Sequence, residues 1–284
     1  MEDGLSLEDS TIAIFGLGLM GGSLALGLKG HCGSLVGFDP DPGALELARH
    51  QKIVDVADRD PGKQILGADL VVLAAPVPAI LALLDQLPSY MPDRCIVIDL
   101  GSTKKWIVEA MSRLPERFDP IGAHPLCGSE KLSLANARGD LYRGAAFVLT
   151  PLGRTTPRAL SAARQIIEAV GAKAVILGET EHDRVLASTS HLPFLLSSAL
   201  TLATPSDVSA FIGPGYRSTA RLAGTPSSMM LGVLESNREN ILDAVHGLQE
   251  ALAEIESVLA ENDISKLERL LNEAQDKYRA LVQG

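Results

Sequence analysis

The sequence predicts an α/β chain: a doubly wound parallel sheet in its N-terminal part, followed by an all-helical C-terminal part. Three observations carry this. Short apolar runs alternate with helical runs from residue 11 to residue 178 at the spacing of βα units. The first apolar run passes directly into a glycine-rich turn at 16–21. Beyond Glu179 the strand-like runs stop and only helical periodicity remains. The expected division is therefore a sheet domain at 1–178 and a helical domain at 179–284.

The first strand is "TIAIF", 11–15, and "GLGLMGGSLALGLKG" follows it, so Gly16, Gly18 and Gly21 stand where a strand becomes a helix. In this G-x-G-x-x-G the first glycine permits the tight turn, the second lets a pyrophosphate approach the backbone, and the third allows close helix–strand packing. The helix N-terminus, with Leu19 and Met20 in its first turn, offers N–H groups and partial positive charge to phosphates. A second strand, "SLVGF", 34–38, ends in Asp39, about twenty residues beyond the turn, where an acid accepts hydrogen bonds from ribose hydroxyls. Strand, glycines, helix, strand and acid in this order predict a Rossmann-type dinucleotide site. The competing reading is a glycine turn and a capping aspartate in some other α/β protein. A 2′-phosphate would be repelled by Asp39, and "DPDPG" supplies no cation to offset it, so NAD is expected rather than NADP.

The alternation continues through "DLVVLAA" (69–75, strand), "PAILALLDQL" (78–87, helix), "CIVIDL" (95–100, strand) and "KKWIVEAMSRL" (104–114, helix). Ligands of such sheets bind outside the carboxyl ends of the strands, and two of those ends are polar. After "VIDL" comes "GSTKK", where Ser102 or Thr103 either caps the next helix or meets a substrate. After "FDPIGA" comes "HPLCGSEK"; Pro125 restricts His124 to extended backbone at a strand end facing the cofactor cleft. A purely structural histidine is the alternative there. "RALSAARQIIEAVGA" (158–172) and "KAVILG" (173–178) read as the last helix and strand of the sheet domain.

In the helical part, "EHDRVLASTSHLPFLLSSALTLA" (181–203) is too apolar for a helix with one buried face, which predicts burial in a bundle or between subunits. Pro193 predicts a kink directly after His191. "FIGPGYRSTARLAG" (211–224) gathers glycine, Pro214, Arg217 and Arg221. Two further helices carry the stripe Ile241, Val245, Leu248, Leu252, Ile255, Leu259, then Leu267, Leu270, Leu271, Ala274 and Tyr278, expected as core or dimer packing. The substrate cleft is expected between the sheet's carboxyl edge and these helices.

Composition narrows the function classes. A net charge of −10 and 4% aromatic residues argue against nucleic acid as a partner. Cys32, Cys95 and Cys127 are odd in number and form neither a CxxC pair nor a zinc-finger spacing, which predicts a reducing compartment and no metal. The start "MEDGLSLEDS" is acidic where a secretory signal is basic and then apolar, and the charge-free run Leu70–Leu84 holds Pro76 and Pro78 and is too short to span a bilayer. A cytoplasmic protein without a membrane span is expected.

Taken in order, "GLGLMGGSLALGLK", "DLGSTK", "GAHPLCGSEK", "HDRVLASTSHLPFLLSSAL" and "GPGYRSTARLAG" resemble the prephenate/arogenate dehydrogenases of tyrosine biosynthesis over nearly the whole chain. The resemblance implies a Rossmann domain joined to an all-helical dimerisation domain, a homodimer, and NAD-dependent oxidative decarboxylation of prephenate to 4-hydroxyphenylpyruvate. By motif position it implies His124 as the base that receives the ring hydroxyl proton and Ser102 as its partner beside the nicotinamide. Arg221 looks like the anchor of a substrate carboxylate, His191 like a pocket residue pointing at substrate, and Glu130 like a gating acid at the entrance. The family often has a tryptophan and an aspartate shortly before the last long helices; this chain reads "SSMMLGVLESN" there, and its one tryptophan, Trp106, lies in the first domain. Arogenate, with an amine in place of the pyruvyl ketone, is the alternative substrate. A β-hydroxyacid dehydrogenase of the 6-phosphogluconate type shares the opening motif but carries a helix lysine where this chain has His182 and His191. A non-catalytic NAD-binding regulatory dimer would not need Ser102, His124, His191 and Arg221 together.

Overall fold

The computed structural model describes residues 5–129 and 131–283. Eight strands form one sheet: β1 Thr11–Phe15, β2 Ser34–Phe38, β3 Val56–Asp58, β4 Leu70–Leu73, β5 Cys95–Asp99, β6 Phe118–Pro125, β7 Ala146–Pro151 and β8 Lys173–Ile176. Their order is β3-β2-β1-β4-β5-β6-β7-β8. Successive side chains of a strand point to opposite faces, and the core divides accordingly. Ile12, Ile14, Leu70, Val72, Ile96 and Ile98 pack under α1 (Leu19–Leu28), α2 (Pro42–His50) and α5 (Pro157–Ala169). Ala13, Phe15, Val71, Leu73 and Val97 pack under α3 (Val77–Tyr90) and α4 (Lys105–Ser112). Both faces are covered, which is why these strands read as unbroken apolar runs.

Pairing is parallel except between β6 and β7, which run antiparallel. The chain between them holds only a short 3₁₀ turn, Leu134–Asn136, so it lacks the helical crossover that a parallel return requires. From β1 the chain winds one way to β2 and β3 and the other way to β4 and β5, which opens a crevice at the carboxyl ends of β1 and β4. Gly16 sits there at φ +96°, and a Cβ on it would lie 2.3 Å from the Ala74 carbonyl oxygen. Only glycine fits that turn.

The remaining helices are α6 (Glu179–Leu186), α7 (Leu192–Ala203), α8 (Pro214–Ala220), α9 (Ser227–Ser236), α10 (Arg238–Ala260) and α11 (Ile264–Gln283). At the expected kink by Pro193 the helical backbone widens into a π turn, Ala187–His191. The Leu192 N–H reaches the Ala187 carbonyl, five residues back, a widening that accommodates a proline that has no N–H to give. The chain divides into two compact units, 1–237 and 238–284, the second made of α10 and α11.

The long stretch Glu179–Ala203 passes the length and hydropathy test for a membrane span. Instead of being buried within the chain, α7 buries only Ser197, and Leu202 is 87% exposed. Along the C-terminal stripe Ile241 is buried, whereas Leu252, Leu259, Leu271 and Tyr278 are exposed.

One buried ion pair fixes the strand ends that face the crevice. Asp99, the last residue of β5, accepts from the Lys104 ammonium and from the N–H groups of Gly101 (2.7 Å) and Ala123 (3.1 Å). Lys104 also donates to the Ala123 carbonyl at 2.7 Å, and neither Asp99 nor Lys104 has any exposed surface. Burial lowers the Lys104 pKa, and the Asp99 carboxylate offsets this only in part. Removing one partner of such a pair leaves the other charge buried alone, at a cost of about 3–5 kcal/mol. Lys104→Met should therefore lower the free energy of unfolding by about that amount in a urea titration, and an unchanged midpoint would contradict this role.

Candidate active site

Two cavities open at the carboxyl edge of the sheet. The first, of about 590 Å³, is lined by Gly16, Gly18, Phe38, Asp39, Arg59 and Tyr90 among others. The Asp39 carboxylate is pinned by the Leu17 N–H (2.6 Å) and the Asp41 N–H (2.8 Å), and each oxygen keeps a second lone pair for a hydroxyl donor. The cradle fits a dinucleotide: a turn that admits no Cβ at Gly16, an oriented acid and a cavity at the switch point. Leu19, Met20 and Gly21 do not line it. Leu19 is buried in the core and its N–H donates to the Leu132 carbonyl at 2.7 Å; the Met20 carbonyl accepts from the Tyr142 hydroxyl at 2.7 Å. Gly21 has no room for a Cβ, which would lie 1.9 Å from the Gly16 carbonyl oxygen, so its part is close packing of α1 on the turn.

The second cavity, of about 490 Å³, brings together Ser102, His124, His191 and Arg221 from four separate segments, with Cys127 and Thr189 in the same wall. Glu130 lies outside the described residues. Ser102 does not cap α4: the residue before that helix is Lys104, which makes no side-chain cap, and Thr103 is turned to Ser236 (2.7 Å). The cap comes from afar, because the Asp183 carboxylate accepts from the N–H groups of Lys104 (2.7 Å) and Lys105 (2.9 Å).

The same aspartate governs both histidines. Its Oδ1 lies 2.8 Å from His182 Nδ1, and His182 Nε2 lies 2.9 Å from His124 Nδ1. An ionised carboxylate can only accept, so His182 carries its proton on Nδ1 and offers a lone pair at Nε2. His124 must then donate from Nδ1, which leaves its Nε2 with a lone pair. On the other side, Asn237 Nδ2 donates to the Asp183 carbonyl at 2.7 Å, which identifies that atom as the amide nitrogen. It lies 3.2 Å from His191 Nδ1, so that nitrogen accepts and His191 carries its proton on Nε2. One aspartate thus sets two cavity histidines in opposite tautomers, His124 with an accepting Nε2 and His191 with a donating one.

Both imidazoles are held neutral. Burial, then the neighbouring His182, Lys104 and His191, push the His124 pKa well below 6.5. Burial pulls His191 down to about 4, with His182 adding and Asp183 opposing. Burial alone would raise the Asp183 pKa, but the His182 and backbone N–H donors outweigh it and hold the carboxyl below its ordinary value. A site with one neutral base, one neutral donor and one guanidinium can take a proton from an anionic molecule while binding its oxygens.

His182, Asp183, Asn237 and Lys104 were not legible as site residues. Asp183 meets α4 across 79 positions of sequence, and no spacing signals that. The adjacent "HD" pair was the available hint. Arg59, in the dinucleotide crevice, was hidden because it follows β3 rather than β2.

Comparison with known proteins places the fold in a family. Residues 24–176 match the family model for the nucleotide-binding domain of prephenate dehydrogenase, and residues 179–273 match the model for its dimerization domain. A prephenate dehydrogenase of Bacillus subtilis is 31% identical over 280 residues, covering 95% of this chain and 75% of that protein. The crystal structure of prephenate dehydrogenase from Aquifex aeolicus in complex with hydroxyphenyl propionate and NAD+ superposes with a TM-score of 0.90 at 27% identity, covering 98% of this chain and 100% of that one. Synechocystis arogenate dehydrogenase superposes with a TM-score of 0.79 at 29% identity, over 94% and 99% of the two chains. With both halves matched by the family's own domain models, the chain belongs to the prephenate dehydrogenase family.

Proposed function

We propose that the chain catalyses the NAD-dependent oxidative decarboxylation of prephenate to 4-hydroxyphenylpyruvate, with His124 as base, Ser102 as its partner, and Arg221 and His191 as substrate ligands. The observation that carries this reading is that His124 lines the second cavity with its Nδ1 engaged by His182, which leaves Nε2 as its accepting atom, while the carboxyl ends of β1 and β4 form the dinucleotide crevice. When bound, the nicotinamide accepts the hydride from C4 of the substrate ring. His124 Nε2 takes the C4 hydroxyl proton as that hydride leaves, and Ser102 beside it helps hold the hydroxyl in line. The Arg221 guanidinium binds a carboxylate through two oxygens, and the His191 Nε2–H donates to an oxygen of the same substrate. Loss of the ring carboxylate as carbon dioxide restores aromaticity. Asp39 selects NAD over NADP, and the family pattern suggests Glu130 as a gating acid.

Prephenate is favoured over arogenate because the described residues lining the second cavity include no aspartate or glutamate to receive an ammonium group. The exposed apolar surface of α7 and of α10–α11 supports a homodimer formed through a helical domain that begins after residue 178. The membrane-length stretch 179–203 carries His182, Asp183 and His191 in the polar network, which supports a soluble, cytoplasmic role over insertion.

Two outcomes check this reading. His124→Asn should lower kcat about 10²–10⁴-fold with little change in KM, whereas Arg221→Ala and, more weakly, His191→Ala should act on KM for prephenate. The base works only when neutral, so in the wild type the rate should fall as pH falls through a pKa below 6.5. An unchanged kcat in His124→Asn, or silent Arg221 and His191 variants, would contradict these roles. In the second test, Asp39→Ala should raise the NADP/NAD ratio of kcat/KM, the more so because Arg59 lines the same crevice and supplies a cation for a 2′-phosphate. Equal use of both cofactors by the wild type would count against Asp39 as the selector.

A further inference from the structure

Along the helical run that starts at Glu179 the buried stripe slips by one residue. Asp183, Leu186 and Ala187 are buried, so a regular α-helix, turning about 100° per residue, would bury Ser190 next. Instead Ser188, Thr189 and Ser190 are exposed and His191 is buried. The π turn Ala187–His191 accounts for the slip, because it takes one extra residue to complete its turn. Asp183 and His191 are eight positions apart in sequence, yet they stand as residues about seven apart stand on a regular helix, on one face. Without the extra residue the same spacing would set them about 80° apart.

That shared face is what one side chain at the end of α9 requires. Asn237 Nδ2 donates to the Asp183 carbonyl at 2.7 Å and lies 3.2 Å from His191 Nδ1. Its two hydrogens leave one atom, so the two acceptors must lie close together. Asn237 cannot follow a histidine that turns away, because the Ser236 hydroxyl beside it is held 2.7 Å from that of Thr103. The turn has a cause in the sequence. In a regular helix the Pro193 ring collides with the Thr189 carbonyl and offers it no N–H, whereas the wider turn pairs the Leu192 N–H with the Ala187 carbonyl.

We infer that Pro193 is a positioning residue for substrate binding: it enforces the π turn that sets His191 in register with Asp183 and Asn237 and against the second cavity. This rests on the reading of His191 as a substrate ligand. An alanine at 193 supplies the missing N–H. The N–H groups of residues 192 and 193 then pair four residues back, with the Ser188 and Thr189 carbonyls, the α pattern that a π turn interrupts. The buried stripe moves to Ser190, and His191 turns by about 100° away from Asn237.

Pro193 also lines the cavity, so lost register has to be separated from lost contact. In the complete enzyme with NAD, Pro193→Ala should raise KM for prephenate about three- to tenfold, the range of one lost hydrogen bond, with kcat within about twofold of wild type. Combined with His191→Ala, it should raise KM no further than His191→Ala does alone. Deleting the exposed Ser188 from the Pro193→Ala protein should restore KM, because about seven residues of regular helix then lead from Asp183 to the histidine. A wild-type KM in Pro193→Ala, additive effects of the two substitutions, or a shortened protein that keeps kcat but not KM overturns the inference. Additivity decides alone if the shortened chain does not fold. If His191→Ala raises KM and Pro193→Ala does not, only this inference falls; if His191→Ala is itself silent, the reading of His191 falls with it.

Discussion

The hydrogen-bond network behind the two cavity histidines centres on Asp183. Its carboxylate accepts from the first two N–H groups of α4, which have no partner within their own helix, and from the ring of His182. Its backbone carbonyl accepts from Asn237 at the end of α9. Three elements distant in sequence therefore meet at one residue, and each contact satisfies a group whose isolation in the interior would be costly. The donors explain why burial does not protonate the acid, and an acid that stays ionised explains why the imidazole chain points one way.

The tautomers follow from bookkeeping of donors and acceptors alone, without reference to a ligand. That has a functional consequence, because a histidine free to exchange tautomers would present a lone pair and a proton in turn to the same cavity. Here His124 and His191 share a cavity and a low basicity but differ in the atom each presents. The Asp99–Lys104 pair beneath them holds the ends of β5 and β6, so His124 stands on a rigid strand rather than a loop.

Much of this was legible in the sequence. The glycine turn, Asp39, the alternating strands, Ser102 and His124 sit in local patterns whose physics is local: a turn that only glycine makes, a proline that fixes its predecessor, a strand that ends in polar residues; His191 and Arg221 were legible only through the family resemblance. The rest depends on contacts that no local pattern encodes. "GSTKK" looks self-capping, yet its cap is supplied by Asp183. Pro193 signals an irregularity in the helix, but not its form, a π turn at Ala187–His191. The reversal between β6 and β7 turns on a missing crossover helix rather than on any residue of either strand. The apolar stretch of α7 reads as buried in a bundle or between subunits and is partly exposed in the single chain, because hydrophobicity reports that a surface needs covering and not what covers it.

The central claim is that Asp183 fixes the two cavity histidines in opposite tautomers, and nitrogen NMR of the ¹⁵N-histidine-labelled protein near neutral pH reads it directly. The account predicts that His124 is protonated at Nδ1 with an unprotonated Nε2, while His191 is protonated at Nε2 with an unprotonated Nδ1. The same tautomer at both positions, or a proton on His124 Nε2 in the resting enzyme, would contradict it.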